Sequence, residues 1–361
     1  MKHTIKVVIA LILFFFMAQF AGLLIINHYI DHAKTVKTKS VEWKPLPYNL
    51  ERPKVESQSF SFIYILSAVL VGTILILFLI RFNRVSLFEV WLYTAILRVV
   101  GYLALYLSKN GVWMVFFLIA DLILGYLIWK FKFTVQDIWK LWFFATVWLT
   151  LSIAFAAFIS SSISVVLALI LAVLKLYRPN IITQNISEVF IYGGLAAIFV
   201  PMMNIFAAFM LLAIISAYDF IAVFKTKHMI RLAAFQSESK IFAGLMIPYS
   251  RGKDSIKRGI VQKTSMKGKK RLRNKGESRK SFAVLGGGDI GFTLIFAGVV
   301  MKALMLQEPV LAGFLKALII PVFCSIALLI LLLKGQQNKF YPAMPVLSLG
   351  CFAGYLAVTL I

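Results

Sequence analysis

Apolar stretches of roughly 20 residues, the length that spans a bilayer as a helix, recur from one end of this chain to the other, beginning with "IKVVIALILFFFMAQFAGLLIIN" at 5–27. The runs are solidly apolar rather than alternating, which excludes an outer-membrane barrel. With 61% hydrophobic residues and a mean hydropathy of +0.89, a soluble core would leave too much apolar surface in water. The expected fold is therefore an all-α polytopic transmembrane helical bundle. The first run follows Lys2 and Lys6 and opens like a signal peptide. It is too long for a signal core and shows no small-residue cleavage site, so it reads as an anchor.

Candidate spans are 5–27, 60–80, 86–107, 111–131, 139–158, 159–177, 186–201, 202–224, 282–304, 309–334 and 342–361. Only "ISSSIS" divides 139–177, and only Pro201 divides 186–224. Lys and Arg favour cytoplasmic loops, and with the N-terminus inside they collect near 81–84, 130–140, 175–178, 225–281 and 334–339. Eleven spans satisfy that distribution, nine satisfy it equally, and ten place a charged loop on the wrong side. The C-terminus then lies outside the cell membrane, and 28–59 is a mixed-charge extracytoplasmic loop.

The segment 225–281 is the most basic part of a chain with a net charge of +24: between 251 and 280 it holds thirteen Lys or Arg against Asp254 and Glu277. It has no aromatic residue there for base stacking, so nucleic acid is not the expected partner. Anionic lipid of the inner leaflet is, and otherwise the charge serves to fix topology. Cys324 and Cys351 both lie within apolar runs and read as small buried residues. His28 and His32, one helical turn apart without a further ligand at suitable spacing, read as interfacial rather than metal-binding.

Carboxylates inside spans are costly and mark function by default. Glu89 lies near a span end close to Arg84, where solvent suffices. Asp121 and Arg98 are equally far from the turn at 107–111, so an antiparallel pair of helices would hold them at one depth as a structural ion pair. Asp219 and Asp289 have no such partner. Asp219 lies about 9 Å of helix rise from Lys225, and Asp289 at most about 13 Å from Lys280 in the reverse direction, so the two reach similar depth. Before Asp289 stand Gly286, Gly287 and Gly288, which permit a bend and a close backbone approach.

The pairing of "YD" at Tyr218–Asp219 with "GGGD" at Gly286–Asp289 resembles the two catalytic motifs of the GxGD intramembrane aspartyl proteases, the presenilin and signal peptide peptidase family. "YPAMPVL" supplies Pro342, Ala343 and Met344 where that family has Pro-Ala-Leu, with Met in place of Leu. The stretch "YDFIAVFKTKHMIRLA" is similar to archaeal presenilin homologues, and the resemblance covers 186–361. It implies a nine-helix core, so the eleven candidates either include two extra N-terminal spans or divide the chain too finely, and the chain divides into N-terminal helices 1–185 and catalytic helices 186–361. It further implies an Asp219/Asp289 pair that activates water to cut peptide bonds of transmembrane segments, with no cofactor, and a Pro342–Met344 turn that helps seat substrate. Two carboxylates sharing a site do not both ionise, which gives one base and one acid. Presenilin-like members take substrates with the N-terminus outside, and a cytoplasmic 225–281 loop gives that orientation here. A proton-coupled transporter or channel is the alternative for the same acids and glycines.

Overall fold

In the computed structural model the described residues are 5–38, 40–53, 55, 57–81, 91, 98, 111–132, 135–225, 243–249, 281–335 and 341–361. The expected span 86–107, apart from Trp91 and Arg98, and the basic run 251–280 lie outside them, as does Glu89. The helices are α1 (Ile5–Tyr29), α2 (His32–Thr38), α3 (Ser61–Arg81), α4 (Gly111–Phe131), α5 (Val135–Ala156), α6 (Ser161–Tyr177), α7 (Ile181–Phe199) and α8 (Ile205–Phe224). Strands β1 (Gly244–Tyr249) and β2 (Ser281–Gly286) follow, then α9 (Gly287–Leu304), α10 (Val310–Ala317), α11 (Ile319–Lys334) and α12 (Met344–Leu360). Seven helical stretches among the described residues are long and apolar enough to cross a bilayer, and α6 and α12 are shorter apolar helices.

Three expected boundaries change. The span expected over 282–304 starts as a strand, and its helix begins at Gly287. The span expected over 309–334 is two helices meeting at Leu318. The span expected from 186 begins at Ile181, which carries Glu188 well inside the helix. Pro201 lies in the 3-10 turn Val200–Met202 that separates α7 from α8. Among the described residues, one antiparallel pair of strands, Gly244↔Gly286 to Tyr249↔Ser281, is thus added to the helices.

The chain packs into two compact units, one of Met1–Leu66, Val147–Met229 and Phe242–Ile361, the other of Ser67–Thr146 and Ile230–Ile241. In the first, α1 is the central post, packed against α7, α9 and α11. Without water to drive apolar association, lipid-embedded helices hold together where small residues let backbones approach. Gly22 of α1 accordingly lies against Leu294, Gly193 against Ile25 and the Gly22 backbone, and Gly298 against Ile26 and Val200. Gly350 and Gly354 press α12 onto the α11 backbone at Cys324 and Ile320. Polar pins close the ends: Tyr29 donates to Ile153 O at 2.7 Å, Asn204 caps α8 through Ala207 N at 2.8 Å, and buried Lys302 donates to Met203 O. In the second unit, Gly125 of α4 packs against the Trp91 ring.

Candidate active site

Asp219 lies on the buried stripe of α8 with Leu212, Ile215 and Ala222, and only 6% of it is exposed. Its Oδ2 accepts the Met344 N–H at 3.2 Å, and the Ala343 N–H is also directed at the carboxylate. Both amides belong to the start of α12, where the first-turn N–H groups have no helical partner and Pro345 gives up none that a helix would use. A second tie one turn away joins the same helices, Ser216 Oγ to Ser348 Oγ at 2.7 Å. Of the predicted triplet Pro342, Ala343 and Met344, the last two therefore meet Asp219 through backbone amides, and Met in place of Leu leaves that contact intact.

Asp289 sits in the first turn of α9, where the aligned peptide dipoles favour a negative charge. The carboxylate takes the Gly286 N–H, and Asp219 is near enough to act on it electrostatically. The three glycines differ in purpose. A Cβ on Gly286 would lie 3.1 Å from Asp289 Oδ2, and one on Gly287 would collide with the Tyr192 hydroxyl. Gly288 is exposed and would meet only Phe292, at 3.4 Å, so its small size leaves open space rather than relieving a clash. Tyr218 is half-buried beside Asp219. The site is thus built from α8, α9 and the start of α12, and it gathers Asp219, Asp289, Gly286 and the 342–344 turn.

Several contributors escape a sequence reading. Gln19, at the middle of α1 and 1% exposed, donates to Ile290 O at 2.9 Å and to Thr293 Oγ1 at 2.8 Å. Thr293 in turn donates to Asp289 O at 2.8 Å, so α1 reaches the backbone of the first turn of α9. Buried Glu188 of α7 accepts from Lys175, Gln184 and Tyr192. A carboxylate seven residues into a helix that starts at Ile181 is the signal that would have found it. Arg98 and Asp121 belong to the second unit: Arg98 Nε stands 3.0 Å from Asp121 Oδ2, Trp91 Nε1 donates to Asp121 Oδ1 at 2.9 Å, and Arg98 covers the Trp91 ring. No three His, Cys, Asp or Glu side chains gather among the described residues.

Residues 105–361 match the family model "Signal-peptide peptidase, presenilin aspartyl protease". Two solved structures are similar. One is a presenilin-family intramembrane aspartate protease in space group C222, with a TM-score of 0.49 and 16% identity over 98% of this chain and 98% of that one. The other is a presenilin-family intramembrane aspartate protease in space group P2, with a TM-score of 0.38 and 16% identity over 77% of this chain and 97% of that one. No curated protein matches the chain.

Proposed function

The chain belongs to the signal-peptide peptidase and presenilin aspartyl protease family and is an intramembrane aspartyl protease, in which we propose that Asp219 and Asp289 are the catalytic pair. It is an integral multi-pass membrane protein acting on transmembrane proteins. Membership sets aside the transporter reading of the same acids. The observation that carries the assignment is the convergence on one spot of Asp219, Asp289 and the Met344 amide from three helices.

In this reading the ionised carboxylate takes a proton from water as the water oxygen bonds to the peptide carbonyl carbon. The protonated carboxyl gives its proton to the carbonyl oxygen. When the tetrahedral centre collapses, the C–N bond breaks, the carboxyl that took the water proton gives it to the leaving nitrogen, and the centre's hydroxyl returns a proton to the other carboxylate, so the products are an acid and an amine. A helical substrate hides its peptide bonds, so it must be extended to react. Strand β2 ends three residues before Asp289, and its outer edge has no strand partner among the described residues, only the Asp289 carboxylate on the Gly286 N–H at its end. An extended substrate that added to that edge would be led to the pair past exposed Gly288.

The Lys/Arg distribution supports a cytoplasmic N-terminus and 225–281 loop, an external Ile361, substrates with the N-terminus outside, and anionic lipid against the basic loop, and the cell membrane is the proposed place of residence. The Arg98–Asp121 pair is assigned a structural role.

Cleavage of a model transmembrane peptide by the purified chain, alongside Asp219→Asn and Asp289→Asn, tests the pair. Both variants should insert, fold and fail to cut, and a mimic with a hydroxyl between two former peptide units should inhibit the parent. Substantial cleavage by either variant would overturn the assignment. Tags at Ser265 and after Ile361, read by accessibility in intact cells, test topology, and an external 265 would reverse both topology and substrate orientation.

A further inference from the structure

Between them α6 and α7 hold more buried charge than the proposed chemistry uses. Lys175 and Glu188 pair with side chains 2% and 1% exposed. Glu188 Oε1 also accepts Gln184 Nε2 at 2.9 Å, and Glu188 Oε2 accepts the Tyr192 hydroxyl. From there the network leads in two directions. The Gln184 amide donates on to Gly244 O, the first residue of β1, at 3.1 Å. The Tyr192 hydroxyl sits where a Gly287 Cβ would be, at the turn that delivers Asp289. Beside them, Asn185 bonds both backbone groups of Met246, donating to its O and accepting from its N–H, each at 2.9 Å.

An antiparallel strand turns the backbone groups of alternate residues to opposite sides. Gly244 and Met246 therefore turn theirs away from β2, and α7 receives them as a third strand would. Pro248, next on that edge, has no N–H to offer and is allowed there for that reason. The outer edge of β1 is thus occupied, and the outer edge of β2 is the one left to pair.

We infer that this face of α7 is a positioning template that sets the cleavage register: Asn185 and Gln184 fix β1, and through it β2, while Glu188 and Tyr192 fix the Gly286–Asp289 turn. It rests on the assignment of Asp289 and of the β2 edge made above. Strand and acid are then held by one helix, so the peptide bond presented to the pair is set by their common support. Because strand side chains alternate with a period of two, a slip of one residue presents a different bond and the opposite face.

The test uses the purified full-length chain in lipid with a model transmembrane peptide. Tyr192→Phe keeps the ring against Gly287 and removes the hydroxyl, and kcat should fall about tenfold with KM changed less than about twofold. Asn185→Leu should raise KM, spread the cut over neighbouring peptide bonds by mass spectrometry, and speed hydrogen exchange of the 244–249 and 281–286 amides. Asp289→Asn should leave that exchange as in the parent. If both variants cut the parental bond with parental kcat, KM and exchange, the template is wrong. It is equally wrong if they only lower thermal stability while the folded fraction cuts the same bond at the same rate. If instead Asp289→Asn cuts like the parent, the catalytic assignment fails separately, and the exchange arm still decides whether α7 holds β1.

Discussion

Each unit contains an acid in an apolar helix paired to a base, and the two pairs are put to different use. Lys175–Glu188 is sealed, with side chains 2% and 1% exposed, whereas Arg98–Asp121 keeps 22% and 17% exposure. Asp121 gives its two oxygens to Arg98 and Trp91, which are seven residues apart. Glu188 gives its oxygens to groups that go on to strand β1 and the glycine turn. A carboxylate in lipid is the same sequence signal in both cases. Its role is decided by where its partners lead.

The widest separation comes from turning each acid into its amide. Asp289→Asn should end peptide cleavage, whereas Asp121→Asn should leave cleavage in place in whatever fraction folds. Loss of activity in a stable Asp121→Asn protein would move that residue from support to mechanism. Next is the removal of one base. Lys175→Met strands a sealed carboxylate and should cost about 3–5 kcal/mol in thermal or denaturant unfolding in detergent, the range for breaking a buried pair. Arg98→Ala should cost clearly less, because that pair is only partly enclosed by protein and its groups have room to rearrange. Equal losses would erase the distinction drawn from burial.

A finer test removes both members of the exposed pair. Arg98→Leu with Asp121→Leu should be more stable than Arg98→Ala alone, since no charge is then left without its counterpart. Glycines give a contrast within the site. Gly287→Ala must displace the Tyr192 hydroxyl and should lower kcat about tenfold, while Gly288→Ala should leave the melting temperature nearly unchanged. A tolerated Gly287→Ala would show that Tyr192 can move without consequence. The smallest effect is expected at Ser348→Ala, about 1 kcal/mol for the lost bond to Ser216, read by thermal unfolding.

The acids of the candidate site stand out in the sequence because they come as a set: Tyr218–Asp219, Gly286–Asp289 and Pro342–Met344 in order, on spans that hydropathy marks well. Glu188 does not: hydropathy places the span's start at 186, two residues before it, where an acid draws no attention. Lys175 was read as a loop cation, because a lysine at the end of an apolar run usually extends its amine to the interface. Only packing against α7 buries it. The pair of strands was also missed. "SFAVLG" is apolar and runs straight into the next helix, and a short apolar stretch gives no period by which strand and helix can be told apart. "GLMIPY" is held by Gln184 and Asn185, some sixty residues earlier in the chain, a relation that no local pattern records. Gln19 illustrates the same limit: one amide among apolar residues looks incidental until Ile290 and Thr293 are found opposite it.

The amide that meets Asp219 is 125 residues further along the chain. A ribosome adding about 5–20 residues per second makes the carboxylate roughly 6–25 s before it makes Met344. Throughout that interval α8 is already made while the group that orients its acid does not exist. Other nascent helices pass through the same membrane in that time, and they meet an incomplete enzyme. With Asp219 and Asp289 as the proposed pair, cutting competence is a late event of biosynthesis, timed by the emergence of α12 rather than by the insertion of either acid.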